Sequence, residues 1–305
     1  MTKRYGSVTA LSGVSFSVPD GSVTGLLGRN GAGKTTALNL MTGYFPPNRG
    51  RVTVDGMDMT DRPRECKRMI GYLPERPPLY DEMTVDEYLR FVSRLREVKP
   101  RAVRAHVDEI VRLCGLEEMR SRLLGHLSRG YRQRAGIAQA LCGSPPVLIF
   151  DEPTVGLDPK QVTEIRSLIR VLGGSHTVLF SSHILSEVQQ LCSTAIILHE
   201  GRIVRTVSPG KAETDETEVK LRLEARAGES ELLSTVSRWP FVRSAETVKS
   251  DTPGISAVRI DCRNEKPDPA EKVSELLHEA GIPLRMLAPE KDTLEEIFLA
   301  ATADT

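Results

Sequence analysis

Gly28-Arg29-Asn30-Gly31-Ala32-Gly33-Lys34-Thr35 satisfies every fixed position of the pattern G-x-x-x-x-G-K-[ST]. Glycines at those positions let a backbone curl until its N–H groups point inward at an anion, and a helix N-terminus adds partial positive charge. Lys34 is then placed to reach β- and γ-phosphates, and the Thr35 hydroxyl to ligate Mg²⁺. A second group with chemistry is the pair Asp151-Glu152, directly after the apolar run Val147-Leu148-Ile149-Phe150. Two carboxylates leaving the carboxyl end of a buried strand stand where ligands of such sheets bind. Asp151 suits Mg²⁺, directly or through water, and Glu152 suits the base or orienting group for an attacking water.

The surrounding pattern supplies the elements these residues need. Ser22 to Leu27 has the look of a buried strand, and Thr36 to Met41 of a helix stopped by Gly43 and Pro46-Pro47, so the glycine loop joins strand to helix. Val8 to Val18 and Arg51 to Gly56 are expected to be strands. From Met69 to Leu141 three helical patterns dominate: Thr84 to Val98 with Thr84 as N-cap, Arg101 to Cys114, and Ser128 to Leu141. A strand at 147–150, a helix at 160–172, a strand at 177–180, a helix at 185–191 and a strand pair at 195–198 and 202–207 follow. Alternating strand and helix imply a mainly parallel sheet covered on both faces, an α/β fold with a helical insert over about 70–141.

Polar, aperiodic residues within 208–217 mark a linker, so the first domain is expected over 1–209, the linker over 210–217 and an accessory domain over 218–305. The accessory domain's order, βαββαβ and then a last helix from Leu294 to Ala300, suggests an α+β ferredoxin-like sandwich.

Composition removes several classes of function. Lys+Arg and Asp+Glu both number 41, so no net field favours nucleic acid or an anionic membrane surface. Cys66, Cys114, Cys142, Cys192 and Cys262 are dispersed, without metal-ligand spacing, and are expected to be reduced core residues of a cytosolic protein. No run approaches the roughly 18 apolar residues of a membrane span, and the first residues are not of signal-peptide type. A soluble chain is expected, with no direct membrane insertion and any membrane role through a partner.

Further segments resemble, in the family's order, the ATP-binding subunit of an ABC transporter. Leu127-Ser128-Arg129-Gly130-Tyr131 is similar to its signature segment, Gly156-Leu157-Asp158-Pro159 to the loop after the Walker B strand, and Ser181-Ser182-His183 to its switch histidine. Tyr5-Gly6 resembles its adenine-stacking aromatic, and the likeness covers about residues 1–210. The resemblance implies a P-loop ATPase that binds ATP through Tyr5, Gly28, Arg29, Asn30, Gly31, Ala32, Gly33, Lys34, Thr35, Thr36, Ser128, Gly130 and Asp158. It implies catalysis by Glu152, His183 and Lys34, with Mg²⁺ at Thr35, Asp151 and Glu75. In this family each ATP lies between the phosphate loop of one protomer and the signature helix of another, so Ser128 and Gly130 would meet the partner's γ-phosphate. The chain is thus expected to pair with itself or a paralogue.

Three departures stand out. Leu73-Pro74-Glu75 occupies the place where the family usually has glutamine, the signature reads Ser-Arg-Gly-Tyr for Ser-Gly-Gly-Gln, and the strand before the aromatic is missing, through truncation or a shorter sheet edge. Leu73-Pro74-Glu75-x4-Tyr80, the signature and the segment Asp292 to Phe298 are most similar to the type-2 exporter branch of drug, antibiotic and gliding-associated systems. That likeness implies an export ATPase at the inner face of the membrane, driving a separate transmembrane permease, with a docking surface around Glu75 to Phe91. Tyr80, Met83 and Tyr88 serve either docking or core packing. The accessory domain is either a ligand-sensing restraint or a dimer brace. The alternative function is a soluble ABC ATPase acting on nucleic acid or ribosomes. Such chains usually carry a long coiled-coil insert, zinc-binding cysteines or a second cassette, none of which is found in this sequence.

Overall fold

Strands covered on both faces are buried along nearly their whole length, and three such strands, β3 (Val23–Leu27), β8 (Thr177–Ser182) and β7 (Val147–Phe150), lie side by side within the main sheet. The computed structural model describes residues 1–209, 218–250, 252–263, 268–290 and 294–303. Before the sheet's first strand come β1 (Lys3–Tyr5) and β2 (Val8–Leu11), an antiparallel hairpin. After β3, the phosphate-loop residues lead into α1 (Lys34–Met41). The pair β4 (Thr53–Val54) and β5 (Met57–Asp58) turns on Asp55-Gly56, both left-handed, as a two-residue hairpin requires.

Next come α2 (Pro63–Arg68), β6 (Ile70–Leu73), α3 (Val85–Leu95), α4 (Val103–Leu113) and α5 (Arg129–Leu141). Past β7 the chain alternates through α6 (Pro159–Gly173), β8, α7 (Leu185–Leu191), β9 (Thr194–His199) and β10 (Arg202–Val207). The sheet order is β10-β9-β3-β8-β7-β6, parallel except for β10. Parallel strands bring their carboxyl ends to one edge. At that edge β3 delivers the phosphate loop, β6 delivers Glu75, β7 delivers Asp151 and Glu152, and β8 delivers His183.

Thr84 caps α3 through a reciprocal capping box with Glu87. Burial works against the charge of Asp86, but hydrogen bonds from Arg90 and Arg120 outweigh it and hold the carboxyl below its ordinary value. The stretch expected to be mainly helical also contains β6, the edge strand of the main sheet, whose four residues are too few to show a period. The expected strand over 8–18 ends at Leu11, because Gly13 turns the chain with a φ of 66°.

The second sheet has the order β12-β13-β11-β14, with β11 (Glu218–Ala225), β12 (Val242–Val248), β13 (Ser256–Arg263) and β14 (Leu284–Pro289) all antiparallel to their neighbours. Leu221, Leu223, Val258 and Ile260 pack with Leu232 and Val236 of α8 (Glu229–Val236) and with Val273 and Leu277 of α9 (Pro269–Glu279). The alternate residues on the same strands are charged, and Arg259 pairs with Glu246, Glu290 and Glu296, the last on α10 (Leu294–Ala303).

The chain divides into two compact units, Met1–Gly210 with Ile297–Thr305, and Lys211–Glu296. The expected linker at 210–217 lies outside the described residues. All five cysteines are buried thiols, and burial raises the pKa of each. Among the described residues no helix is long and apolar enough to cross a membrane.

Candidate active site

Two glycines of the phosphate loop are fixed by close approach. A Cβ on Gly33 would lie 2.7 Å from the Ala10 carbonyl, and one on Gly28 would lie 2.5 Å from the Leu198 carbonyl. Gly33 is also left-handed, with φ 103°, at the N-cap of α1. Gly31, φ 84°, has open space where a side chain would be and lines the cavity beside it. The first turn of α1 carries no acidic residue, which leaves its positive end uncompensated.

From this loop a chain of charged groups crosses the sheet edge. Lys34, 6% exposed, donates from Nζ to the carbonyls of Gly28 at 2.7 Å and Arg29 at 3.3 Å. Its Nζ also lies 3.1 Å from Glu152 Oε1, at ion-pair distance but without hydrogen-bond geometry. Glu152 Oε2 is 2.9 Å from Nδ1 of His183. Glu152 is left-handed, φ 47°, which costs a non-glycine residue about 1–3 kcal/mol and turns it off the course of β7.

Asp151 is buried beside it. Ser181 Oγ donates to Asp151 Oδ1 at 2.6 Å and accepts from the Glu152 amide at 2.9 Å. Burial raises the Asp151 pKa, the hydroxyls of Ser181 and Thr35 pull it back, and the charges of Glu152 and Glu75 raise it further. Asp151 Oδ2 has no hydrogen-bond partner. Three carboxylates therefore face one region with Lys34 as counter-charge, and an orphaned carboxylate oxygen lies among them.

A cavity of about 700 Å³ adjoins these groups, with Gly28, Ala32 and Asp151 outside its wall. Its lining includes Arg29, Asn30, Gly31, Gly33, Lys34, Thr35 and Thr36 from the loop, with Glu75, Glu152 and His183 opposite. The dimensions and the basic loop suit a nucleoside triphosphate. Among the described residues no three His, Cys, Asp or Glu side chains form a metal cluster. Hydroxyl and phosphate oxygens would have to complete any shell, which is how Mg²⁺ is bound in nucleotide sites.

The family described as ABC transporter matches residues 11–155. The ABC transporter ATP-binding protein NatA of Bacillus subtilis is 39% identical over 199 residues, 65% of this chain and 81% of that protein. The daunorubicin resistance ATP-binding protein DrrA3 of Streptomyces coeruleorubidus is 34% identical over 307 residues, 99% of this chain and 94% of that protein. The chain belongs to the ABC transporter ATP-binding family. The fold agrees with the dimeric structure of MJ0796, a bacterial ABC transporter cassette, at a TM-score of 0.64 and 25% identity, over 69% of this chain and 97% of that one. The protein is accordingly an ATP-binding ATPase with the family's P-loop fold.

Not every expected residue of the ABC site lies in the cavity. Ser128 caps α5, accepting from the Tyr131 amide at 3.5 Å. Gly130 is buried against Gln161, and Asp158 caps α6 through the Gln161 amide at 2.9 Å. None of these three lines the cavity. Arg129, where the family usually has glycine, donates to the Val155 carbonyl at 2.9 Å and lies across Gly156 so closely that a Cβ there would overlap it. Tyr5 is 47% exposed, meets the edge of Phe45 at 5.8 Å, and is outside the lining. Glu75 is exposed and does line the cavity.

The sequence reading missed other residues there. Val8, Thr9, Ala10, Val155, Glu200 and Gly201 complete the wall. Gly201 is held against β2, since its Cβ would fall 2.5 Å from the Ala10 carbonyl. Only the dipeptide Glu200-Gly201, a turn signal, hinted at this.

Proposed function

We propose that this ATPase hydrolyses Mg-ATP within a sandwich of two nucleotide-binding units and so drives a separate transmembrane export subunit. The observation that carries the reading is the Lys34–Glu152–His183 chain standing at one sheet edge with the phosphate loop and Asp151. In this reading phosphate oxygens replace the Gly28 and Arg29 carbonyls as acceptors for Lys34. Glu152 takes a proton from the water as its oxygen bonds to the γ-phosphorus, and the bond to the β–γ bridging oxygen breaks to leave ADP. His183, donating from Nδ1 to Glu152, accepts from the water at Nε2 when neutral and donates from Nε2 to the phosphate when that nitrogen is protonated as well.

Thr35 and the orphaned Asp151 oxygen fit Mg²⁺, and Glu75, whose charge acts on Asp151, would join as a direct or water-bridged ligand. When bound, that ion supplies positive charge to the β- and γ-phosphate oxygens. If Glu75 takes part, Glu75→Ala raises the Mg²⁺ concentration that gives half-maximal turnover. An unchanged Mg²⁺ titration would remove it from the site.

Supporting the sandwich is the distance in role between the two halves. Ser128 and Gly130 open a thirteen-residue helix whose N-terminus presents no acidic residue, yet they do not line this chain's own cavity. A helix start of that kind binds phosphate well, so a second copy, or a paralogue, would bring its Ser128 to the γ-phosphate. Export is supported by a relative's own description, the Nod factor export ATP-binding protein I of Burkholderia orbicola, at 36% identity over 208 residues. The permease is proposed to dock where Tyr80, 52% exposed, meets Tyr88 edge-on and Phe91 at a tilt, holding the chain at the inner membrane face.

The sandwich is tested by Ser128→Arg. The side chain is exposed, so folding and the ATP affinity of the single chain are expected to persist, whereas ATP-dependent dimerisation, read by light scattering, and turnover are lost. Normal turnover in that variant would rule the shared site out.

A further inference from the structure

Glu187 is an unusual residue for the first turn of a short helix, because it is 1% exposed. Both of its oxygens are occupied. Oε1 pairs with a guanidinium nitrogen of Arg166, on α6, at 3.2 Å. Oε2 accepts from Ser182 Oγ at 2.8 Å. The Ser182 hydroxyl is also an acceptor, taking the Ile184 amide at 3.0 Å. Ser182 is the last residue of β8 and fully buried. One hydroxyl therefore ties the residue before His183 to the residue after it, and Glu187 fixes that hydroxyl's direction.

The reach of this network is set by what it encloses. His183 is the single residue between the two anchored positions, and its ring is held through Nδ1 on Glu152. The side chain is 38% exposed, so packing alone does not set its course. The course comes from the backbone, and the backbone is set by Ser182 and Ile184. A buried ion pair contributes little net stability over an apolar pair of the same volume, since desolvation offsets the attraction. What such a pair gives is a defined geometry. In a site where a 1 Å displacement costs about a hundredfold in rate, that geometry matters.

We propose that Glu187, acting with Arg166 and Ser182, is a positioning residue for His183. This rests on the reading of His183 as the side chain that meets the γ-phosphate or its attacking water. Arg166 lies two turns into α6, the helix that Asp158 caps, and its other terminal nitrogen donates to Gln190 Oε1 at 3.3 Å, while its Nε has no partner. The histidine's loop is thereby fastened to the helix that follows β7 and the Asp151-Glu152 pair just beyond that strand's end.

Turnover and nucleotide affinity of the full chain, measured separately, test the proposal. Glu187→Ala lowers kcat by about tenfold or more while the KM and Kd for ATP stay within about twofold. Ser182→Ala, which leaves the Glu187–Arg166 pair in place, gives the same split. Glu187→Gln keeps an oxygen for the serine hydroxyl and restores most of the rate. In a His183→Ala background, Glu187→Ala slows the residual single-turnover rate no further, because groups acting as one unit do not add.

A full tenfold loss in that background would overturn the proposal, as would Glu187→Ala and Ser182→Ala with normal kcat. If His183→Ala itself turned over normally, the reading of His183 would fall. If His183→Ala were slow and the Glu187 and Ser182 variants normal, only the positioning role would fall.

Discussion

Replacing Glu152 with glutamine is expected to cut ATP turnover by about two to four orders of magnitude while ATP stays bound. The amide is nearly the same size as the carboxylate and keeps an oxygen that accepts from His183, so the edge of the sheet should hold its shape. What it loses is the ability to take a proton from water. It also loses one negative charge in a region where Asp151 and Glu75 already repel each other and would repel a γ-phosphate. Lys34 keeps its Gly28 and Arg29 carbonyl partners, so removing the 3.1 Å ion pair does not strip the lysine of its anchors. ATP should then bind at least as tightly as before, and the shared dimer should persist. Single-turnover phosphate release with retained nucleotide is the measurement. A Glu152→Gln protein that releases phosphate at the original rate would take Glu152 out of the chemistry.

Most of the site's content was legible because it is written locally. The phosphate loop is a contiguous string whose glycines are needed by its own backbone path, and the buried runs of β7 and β8 place Asp151 and His183 at their carboxyl ends. Strand and helix order followed from the same runs. What stayed hidden is what distant segments impose on one another. The β6 strand is four residues long and joins the sheet only by pairing with β7. Gly201 must be glycine because the Ala10 carbonyl lies over it, a contact across nearly two hundred residues. Glu187 reads as an ordinary polar residue in an amphipathic helix until Arg166 and Ser182 are found against it. Arg129 departs from the family's glycine, and only the structure gives it a partner, the carbonyl of Val155. Tyr5 illustrates the opposite limit. Its place in the motif order points to adenine, while its ring in the single chain rests against Phe45.

Lys34→Ala separates binding from chemistry in the other direction. Truncating one member of a buried, hydrogen-bonded charge pair costs about 2–5 kcal/mol, so the Kd for ATP should rise by roughly thirtyfold to several thousandfold. The α1 helix itself should survive, since Ala37, Leu38 and Leu40 hold it in the core and alanine is a good helix former. The remaining damage is electrostatic. Without the ammonium, Glu152 is left 8% exposed beside Asp151 with no cation against it, which destabilises the folded chain. That cost resides in the carboxylate and not in the missing side chain. Lys34→Ala combined with Glu152→Gln should therefore regain thermal stability relative to Lys34→Ala alone, although its ATP affinity stays low. Calorimetric titration and thermal unfolding of the two proteins read the two effects independently. Full nucleotide affinity in Lys34→Ala would mean that the triphosphate is held by something other than this loop.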